Sequence, residues 1–406
     1  MSSALEGIRV IDLGTVIAGP YATMQLADLG AEVIKIEEPA AAERRGMPGA
    51  GLVFQPLDLI PVGSYRDRNK EVMSLNLHRP KGLEILLDLI RKADVVTENF
   101  SPGTMDRMGI GYDVLKAINP RIIYVSVSAF GQTGSYKHHR GYDILAQART
   151  GYASVTGFPD DPPTRAGNAI TDYYAGLLGA FSILAALRHA DRTGQGQAVD
   201  LALFEGLFMT LEGYVERTLN NGEVPSRQGN ESLSHGPACA VYPAEGGVLV
   251  AVDAHRDEWW MVLCGAIGHP DLADDPRTSS YSARGSNPEV VRDAIASWVA
   301  GRSAAEVEKS LGTAGVPVSR VLTVQEMVEL PLIKERDLYP TVNHPTAGPL
   351  KITGTPYSGL SRTPGKVRSA SPVPHQHVAE ILQRVLGYNE EQIAALEADG
   401  AFSVGQ

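Results

Sequence analysis

The chain has 406 residues, 43% of them hydrophobic and 20% charged, as expected of a soluble globular protein too long for one simple core, so two domains are the default expectation. A formal net charge of −11 argues against a nucleic-acid or anionic-membrane binder, so no partner of either kind is expected and any anionic ligand must be met by a local basic cluster. Cys239 and Cys264, the only cysteines, share no metal-ligand spacing and predict a reducing, cytoplasmic setting without disulfides. The stretch Met1–Gly7 has neither a basic nor an apolar leader region, and no signal peptide is expected from it.

In chain order, the first two hundred residues alternate strand and helix. Ile8–Leu13 reads as a short apolar strand ending at Gly14, Ala22–Leu29 as a helix stopped by Gly30, and Glu32–Ile36 as the next strand. Lys81–Lys92 is helical and precedes the strand Asp94–Thr97; Tyr112–Ile118 is a short helix before the strand Arg121–Val127; Val199–Leu203 is a further strand. Val- and Ile-rich strands separated by helices predict a buried parallel sheet. Between the last two strands a helix is expected over Tyr173–His189, with Gly194 as its stop. No apolar run reaches membrane-spanning length on this reading, and Tyr174–Leu187, the longest, reads as a buried helix. Glu223–Pro237 changes composition and is read as a linker at 223–237. It leads to a smaller α/β domain at 238–338, with a strand at Val248–Val252, an aromatic helix carrying Trp259 and Trp260, and helices near Pro288–Gly301 and Ala304–Leu311. The Gly-, Pro-, Ser- and Thr-rich stretch Leu350–Pro374 is an extended return, and Val378–Leu386 and Asn389–Asp399 are helices. The expected architecture is thus a large domain at 1–222 completed by the return segment 339–406.

The usual phosphate fingerprints are absent. Gly14 is followed by Thr15-Val16-Ile17-Ala18-Gly19-Pro20 rather than G-x-G-x-x-G, and there is no G-x-x-x-x-G-K-[ST] and no G-x-S-x-G. No cluster has useful metal-ligand spacing, and no metal is expected. Positive groups nevertheless gather after strand ends: Arg44 and Arg45, then Arg66, Arg68 and Lys70, then Arg107, then Lys137 and Arg140. Open α/β sheets bind ligands at that rim, and an acidic protein with such a rim suits a phosphorylated ligand.

One acid stands apart. Within Arg165–Gly176 a loop runs into the long apolar helix, and Asp172 falls in its first turn, where unpaired N–H groups and the helix dipole favour its ionised form. From this segment alone the commoner role of such an acid is capping. The other role, open to an ionised carboxylate among small residues, is that of a nucleophile.

These residues resemble the class III CoA-transferases, the group that includes formyl-CoA:oxalate, carnitine and succinyl-CoA-dependent enzymes. The resemblance rests on Leu13–Pro20, Leu29–Glu37, Arg68-Asn69-Lys70, Glu98–Met105, Phe130–Gly134, Arg192–Gln197 and Gly229-Asn230, in this order and spacing. It implies a Rossmann-like large domain, discontinuous in sequence, and an interlocked dimer. It also implies Asp172 as the nucleophile, with CoA contacts at Val16, Ile17 and Ala18, at Arg68 and Lys70, at Asn99, Phe100 and Arg107, and at Lys137, Arg140 and the residues to Asp143. Glu38 stands where many members carry a basic residue for the adenine, so Arg44 or Arg45 is expected to take that contact. The acyl pocket is assigned to Ile17, Tyr142, Asp143 and Tyr173.

The reaction implied moves CoA from a donor acyl-CoA, with succinyl-CoA preferred, to an acceptor carboxylic acid through an aspartyl-CoA thioester. CoA thioester is then substrate, and no tightly bound cofactor is needed. Two alternatives remain open. One is an α-methylacyl-CoA racemase, which pairs the same Asp with a His; here Tyr142 holds that position, a poor base near neutrality, and His138 and His139 lie out of register. The other is a non-catalytic subunit of a hetero-oligomer.

Overall fold

A computed structural model describes residues 3–46 and 64–403, with the backbone alone for 43–46 and 64. The chain forms two compact units. The larger comprises Met1–Tyr152, Ala166–Gly213 and Leu332–Gln406; the smaller comprises Ala153–Arg165 and Tyr214–Pro331.

The large unit is built on a parallel sheet of six strands: β1 (Arg9–Asp12), β2 (Glu32–Glu37), β3 (Glu71–Ser74), β4 (Val95–Glu98), β5 (Ile123–Ser128) and β6 (Ala198–Ala202), in the order β3-β2-β1-β4-β5-β6. This is the doubly wound Rossmann order, whose direction reverses between β1 and β4 and so opens a crevice at their carboxyl ends. Val10, Ile11, Val95 and Val96 are wholly buried, because helices cover both sheet faces. Strand β3 has no counterpart in the sequence reading. Its four residues, Glu71-Val72-Met73-Ser74, are too few and too mixed to show a period.

Two helices set the geometry of the crevice. Helix α1 (Ala18–Asp28) starts four residues earlier than expected, directly after β1. The long helix, α2 here, spans Ile170–Thr193 and closes on Gly194 at φ +73°. It is 24 residues long, which corrects the shorter expectation: by length and composition alone it could cross a membrane. In this unit it packs along α1, with Ile183, Ala186 and Ala190 buried. The approach is close because Gly176 and Gly179 face α1. A Cβ on Gly176 would lie 2.9 Å from the Ala18 carbonyl, and one on Gly179 would lie 3.2 Å from the Ala22 Cβ. Asp172 is one turn before Gly176 on the same helical face, so this contact carries it to the start of α1.

Arg68, Asn69 and Lys70 close the unit. The Arg68 side chain is 2% exposed; it grips the Asp28 carboxylate with two donors, at 2.6 and 3.1 Å, and donates to the Thr353 and Gly354 carbonyls. Asn69, at φ +62°, donates to Asp28 and the Lys366 carbonyl and accepts from the Arg368 and Ser369 N–H groups. Lys70 Nζ is buried against Asp12 (2.8 Å), the Pro20 carbonyl and Asp67. Burial alone would raise the Asp12 carboxyl, but Lys35, Lys70 and the Thr23 hydroxyl together hold it well below the usual carboxylate range. The returning chain also adds Ile381 and Leu382 to the core around Ile11, Ile34 and Leu86.

The small unit holds an antiparallel sheet of four strands, Glu231–Ser232, Gly236–Pro243, Leu249–Asp253 and Val318–Arg320. Trp260, Val291, Ile295 and Leu311 fill its core. Part of the expected linker is therefore strand. Residues 153–165, which the sequence reading left in the large domain, are tied here by Arg227, which donates to the carbonyls of Phe158, Pro159 and Asp161. Cys239 and Cys264 are unpaired.

Candidate functional site

A cleft of about 340 Å³ opens at the carboxyl ends of the large sheet, where the strand order reverses. Thr15, Val16 and Ala18 come from the end of β1, and Asn99 to Pro102 from the end of β4. Val127 to Ala129 come from β5, His139 to Tyr142 from the following loop, Leu203 from beyond β6, and Asp172 from α2.

The two sides of the reversal are locked together. The Thr15 N–H donates to Asn99 Oδ1 at 2.6 Å, and Asn99 Nδ2 donates back to the Thr15 carbonyl at 2.7 Å. The lock holds Val16 at φ +61°, a left-handed conformation that costs a β-branched residue about 1–3 kcal/mol. Beneath Phe100, the buried Glu98 carboxylate accepts the Phe100 N–H and the Tyr124 hydroxyl.

Asp172 is not the cap of its helix. That role belongs to Asp143, buried in the first turn of the helix Asp143–Arg149. Asp143 Oδ1 accepts the Thr171 N–H at 2.9 Å and the Thr171 hydroxyl at 2.6 Å, while Oδ2 accepts from Gln147. Among the described residues, the Asp172 carboxylate accepts no hydrogen bond, and it is the one carboxylate lining the cleft. Burial pushes it up to about 6; Asp143 acts in the same direction and Arg66 opposes it. At this helix terminus, desolvation outweighs the favourable dipole, and the carboxyl is held well above the usual carboxylate range. A carboxylate of that basicity is a better nucleophile than a solvated one and is still charged at neutrality.

This has a stability consequence. The folded pKa is raised, so the group's linked stability is complete below its unfolded value and is lost as the pH rises through about 6. Asp172→Asn is expected to stabilise the fold above pH 7 by on the order of 2–3 kcal/mol, with the gain fading toward pH 4. Urea denaturation at the two pH values measures it, and an equal effect at both contradicts the assignment.

The cleft gathers Val16, Ala18, Asn99, Phe100, Arg140 and Tyr142 beside Asp172. Other expected contacts lie elsewhere. Arg68 and Lys70 are buried in the scaffold and do not line the cleft, and Asp143 is behind the helix start. Ile17 is half-buried at the start of α1, and Lys137 is half-buried outside the cleft. Arg107 is exposed and donates to Thr104. Tyr173 turns away, with its hydroxyl 2.6 Å from that of Tyr65 and its ring edge-on to Tyr21. The Arg44 and Arg45 side chains lie outside the described residues. His139, set aside at the sequence level, does line the cleft, stacked on Tyr136 with ring centroids 4.8 Å apart; only the loop's path in three dimensions brings it there. No group of three or more potential metal ligands occurs among the described residues.

A doubly wound sheet binds its ligand at the switch point of the strand order, and the desolvated carboxylate of Asp172 stands there. A family model described as CoA-transferase family III matches residues 5–378, and the chain belongs to that family. It is 35% identical to a succinyl-CoA–D-citramalate CoA-transferase of Chloroflexus aurantiacus over 97% of both chains. It is 36% identical to a formyl-CoA:oxalate CoA-transferase of Streptomyces avermitilis, covering 98% of this chain and 100% of that one. A crystal structure of a CAIB/BAIF family protein from Brucella suis superposes with a TM-score of 0.81 at 29% identity, over 95% of this chain and all of that one. The protein is a CoA-transferase, and CoA thioesters are its substrates.

Proposed function

We propose that the enzyme moves CoA from succinyl-CoA or a similar donor to a dicarboxylic acid through an aspartyl-CoA thioester on Asp172. The observation that carries this reading is the Asp172 carboxylate, uncapped and half-buried in the cleft at the β1–β4 reversal. The names of the relatives, which pair succinyl-CoA or formyl-CoA with citramalate or oxalate, support the choice of acids.

Asp172 attacks the donor thioester carbonyl, forming a mixed anhydride and releasing CoA thiolate. The thiolate attacks the aspartyl carbonyl, giving the aspartyl-CoA thioester and freeing the donor acid. The acceptor carboxylate attacks that thioester, forming a second anhydride and again releasing thiolate. The thiolate takes the new acyl group, and Asp172 returns as carboxylate. No net proton is consumed. Each tetrahedral step needs N–H donors at the developing oxyanion; backbone N–H groups near the start of α2 and in the Val16–Ala18 turn, close to Asp172, suit that role. Val16, Ala18, Asn99, Phe100 and Arg140 are the CoA contacts of this reading, and Tyr142 borders the acyl group.

The test is a panel of donor thioesters and acceptor acids, read by the appearance of the new acyl-CoA. Transfer from at least one donor to a dicarboxylic acceptor is expected; hydrolysis alone contradicts the reading. Because Asp172 must be ionised, kcat/KM is expected to fall about tenfold per pH unit below about 6, and a profile flat to pH 4.5 contradicts its role. His139, lining the same cleft, supports α-proton exchange as the second reading. Incorporation of solvent deuterium into an α-methyl acyl-CoA without acceptor would favour it.

We propose further that the protein acts in the cytoplasm, consistent with two unpaired thiols, and as an interlocked homodimer. Phe181, Leu177 and Leu184 form an exposed apolar strip on α2 that suits a partner surface. Native mass spectrometry is expected to give twice the 43.4 kDa chain mass at every dilution. A folded monomer in reversible exchange refutes the interlock.

A further inference from the structure

Among the described residues, the cleft lining holds one arginine, Arg140, but a second arginine acts on Asp172 from elsewhere. Arg66 is half-buried, and its charge opposes the upward push on the Asp172 carboxyl. Its guanidinium is held by neutral groups only. Nη1 donates to the Tyr65 hydroxyl at 2.9 Å, the guanidinium carbon sits 4.9 Å from the Tyr65 ring centroid, and the Tyr65 hydroxyl is 2.6 Å from that of Tyr173. Tyr173 follows Asp172 on α2, so this chain of contacts ties Arg66 to the residue next to the reactive acid. Among the described residues, Arg66 pairs with no carboxylate, and its Nε is buried without a hydrogen-bond partner.

Among the described residues, the fully buried cations of this unit are committed. Arg68 grips Asp28, and Lys35 and Lys70 surround Asp12. The half-buried Arg66 differs from them in keeping free donors, since a guanidinium has five and, among the described residues, one hydrogen bond, to Tyr65, is made. A half-buried arginine with open donors, tied through Tyr65 to the residue that follows Asp172, is suited to a planar anion. The proposed dicarboxylic substrates supply one: each brings a second, unreacting negative charge toward Asp172, and a local cation offsets that repulsion.

We propose that Arg66, steadied by Tyr65 and Tyr173, binds the unreacting carboxylate of a dicarboxylic acid on the Tyr173 side of Asp172, and so sets the enzyme's preference for dicarboxylic over monocarboxylic acids. This rests on the transfer reading for the substrate's orientation, but its test does not require turnover. Calorimetric binding of succinate and of butyrate, which has the same number of carbons and one carboxylate, is compared in wild type, Arg66→Gln, Arg66→Lys and Tyr65→Phe, with CoA binding as the fold control.

Wild type is expected to prefer succinate. Arg66→Gln should weaken succinate roughly 10–100-fold, the value of a lost charge-assisted pair, and change butyrate less than about threefold. Arg66→Lys should recover part of the loss, and Tyr65→Phe should fall between. Equal weakening of both acids, succinate binding within twofold of wild type in Arg66→Gln, or no succinate preference in wild type overturns the proposal. Parallel loss of CoA binding would assign Arg66 to the scaffold and overturn it too. Failure of the donor–acceptor panel with a retained Arg66-dependent succinate preference would fault the transfer reading and leave this one standing.

Discussion

Asp172→Ala is expected to abolish CoA transfer, with a loss on the order of a thousandfold or more in kcat, while the fold survives. In the proposed sequence this carboxylate carries the group in every half-reaction, so no neighbouring residue can replace it by polarisation alone. The structure makes the fold's survival an equally firm expectation. The helix start is capped by Asp143 through Thr171, and the Asp172 carboxylate contributes no hydrogen bond that the helix would miss. Its removal also relieves a buried charge. A folded variant that retains more than a tenth of wild-type turnover sinks the nucleophile assignment. A variant that fails to fold would show that Asp172 has a structural part the geometry does not give it.

The second large effect is on stability. Lys70→Met should destabilise the large unit by about 3–5 kcal/mol, because it strands the Asp12 carboxylate in the interior. Asp12 has no exposure. It would keep the Thr23 and Gly14 donors and the more distant Lys35, but lose the ammonium at 2.8 Å. The double variant Asp12→Asn with Lys70→Met should recover part of the loss, since the fully buried side chain at position 12 is then neutral. Denaturant titration measures this, alongside the KM for acyl-CoA. A KM raised more than tenfold with unchanged stability would return Lys70 to the list of CoA contacts.

That example shows where sequence reasoning reached and where it stopped. The alternation of Val- and Ile-rich strands with helices was enough to expect a parallel α/β unit, because buried strands and their covering helices are written in local composition. Asp172 was visible too, as the acid at the mouth of the long helix. What local pattern could not supply was the competition for the capping role, since Asp143 lies 29 residues upstream and meets Thr171 only in three dimensions. The same holds for Arg68, Asn69 and Lys70. Their partners, from Asp12 and Asp28 to Thr353 and Lys366, are spread over most of the chain, and a basic triplet after a strand reads as a ligand site until those partners are seen. Residues 153–165 sit with the small unit because of three carbonyl contacts to Arg227, which leave no trace in spacing. Arg66 looked like one more member of a positive cluster; only its lack of a carboxylate partner, against Arg68 and Lys70, distinguishes it.

The central claim is that Asp172 carries CoA as a thioester. The direct measurement is peptide mass spectrometry after incubating the enzyme with a competent acyl-CoA and quenching with borohydride or hydroxylamine. Reduction of the aspartyl thioester to the corresponding alcohol, or its conversion to the hydroxamate, should appear on Asp172 and on no other carboxylate, and should be absent without acyl-CoA. Unmodified Asp172 under conditions of proven turnover, or a modification placed on another residue of the cleft, would contradict the account.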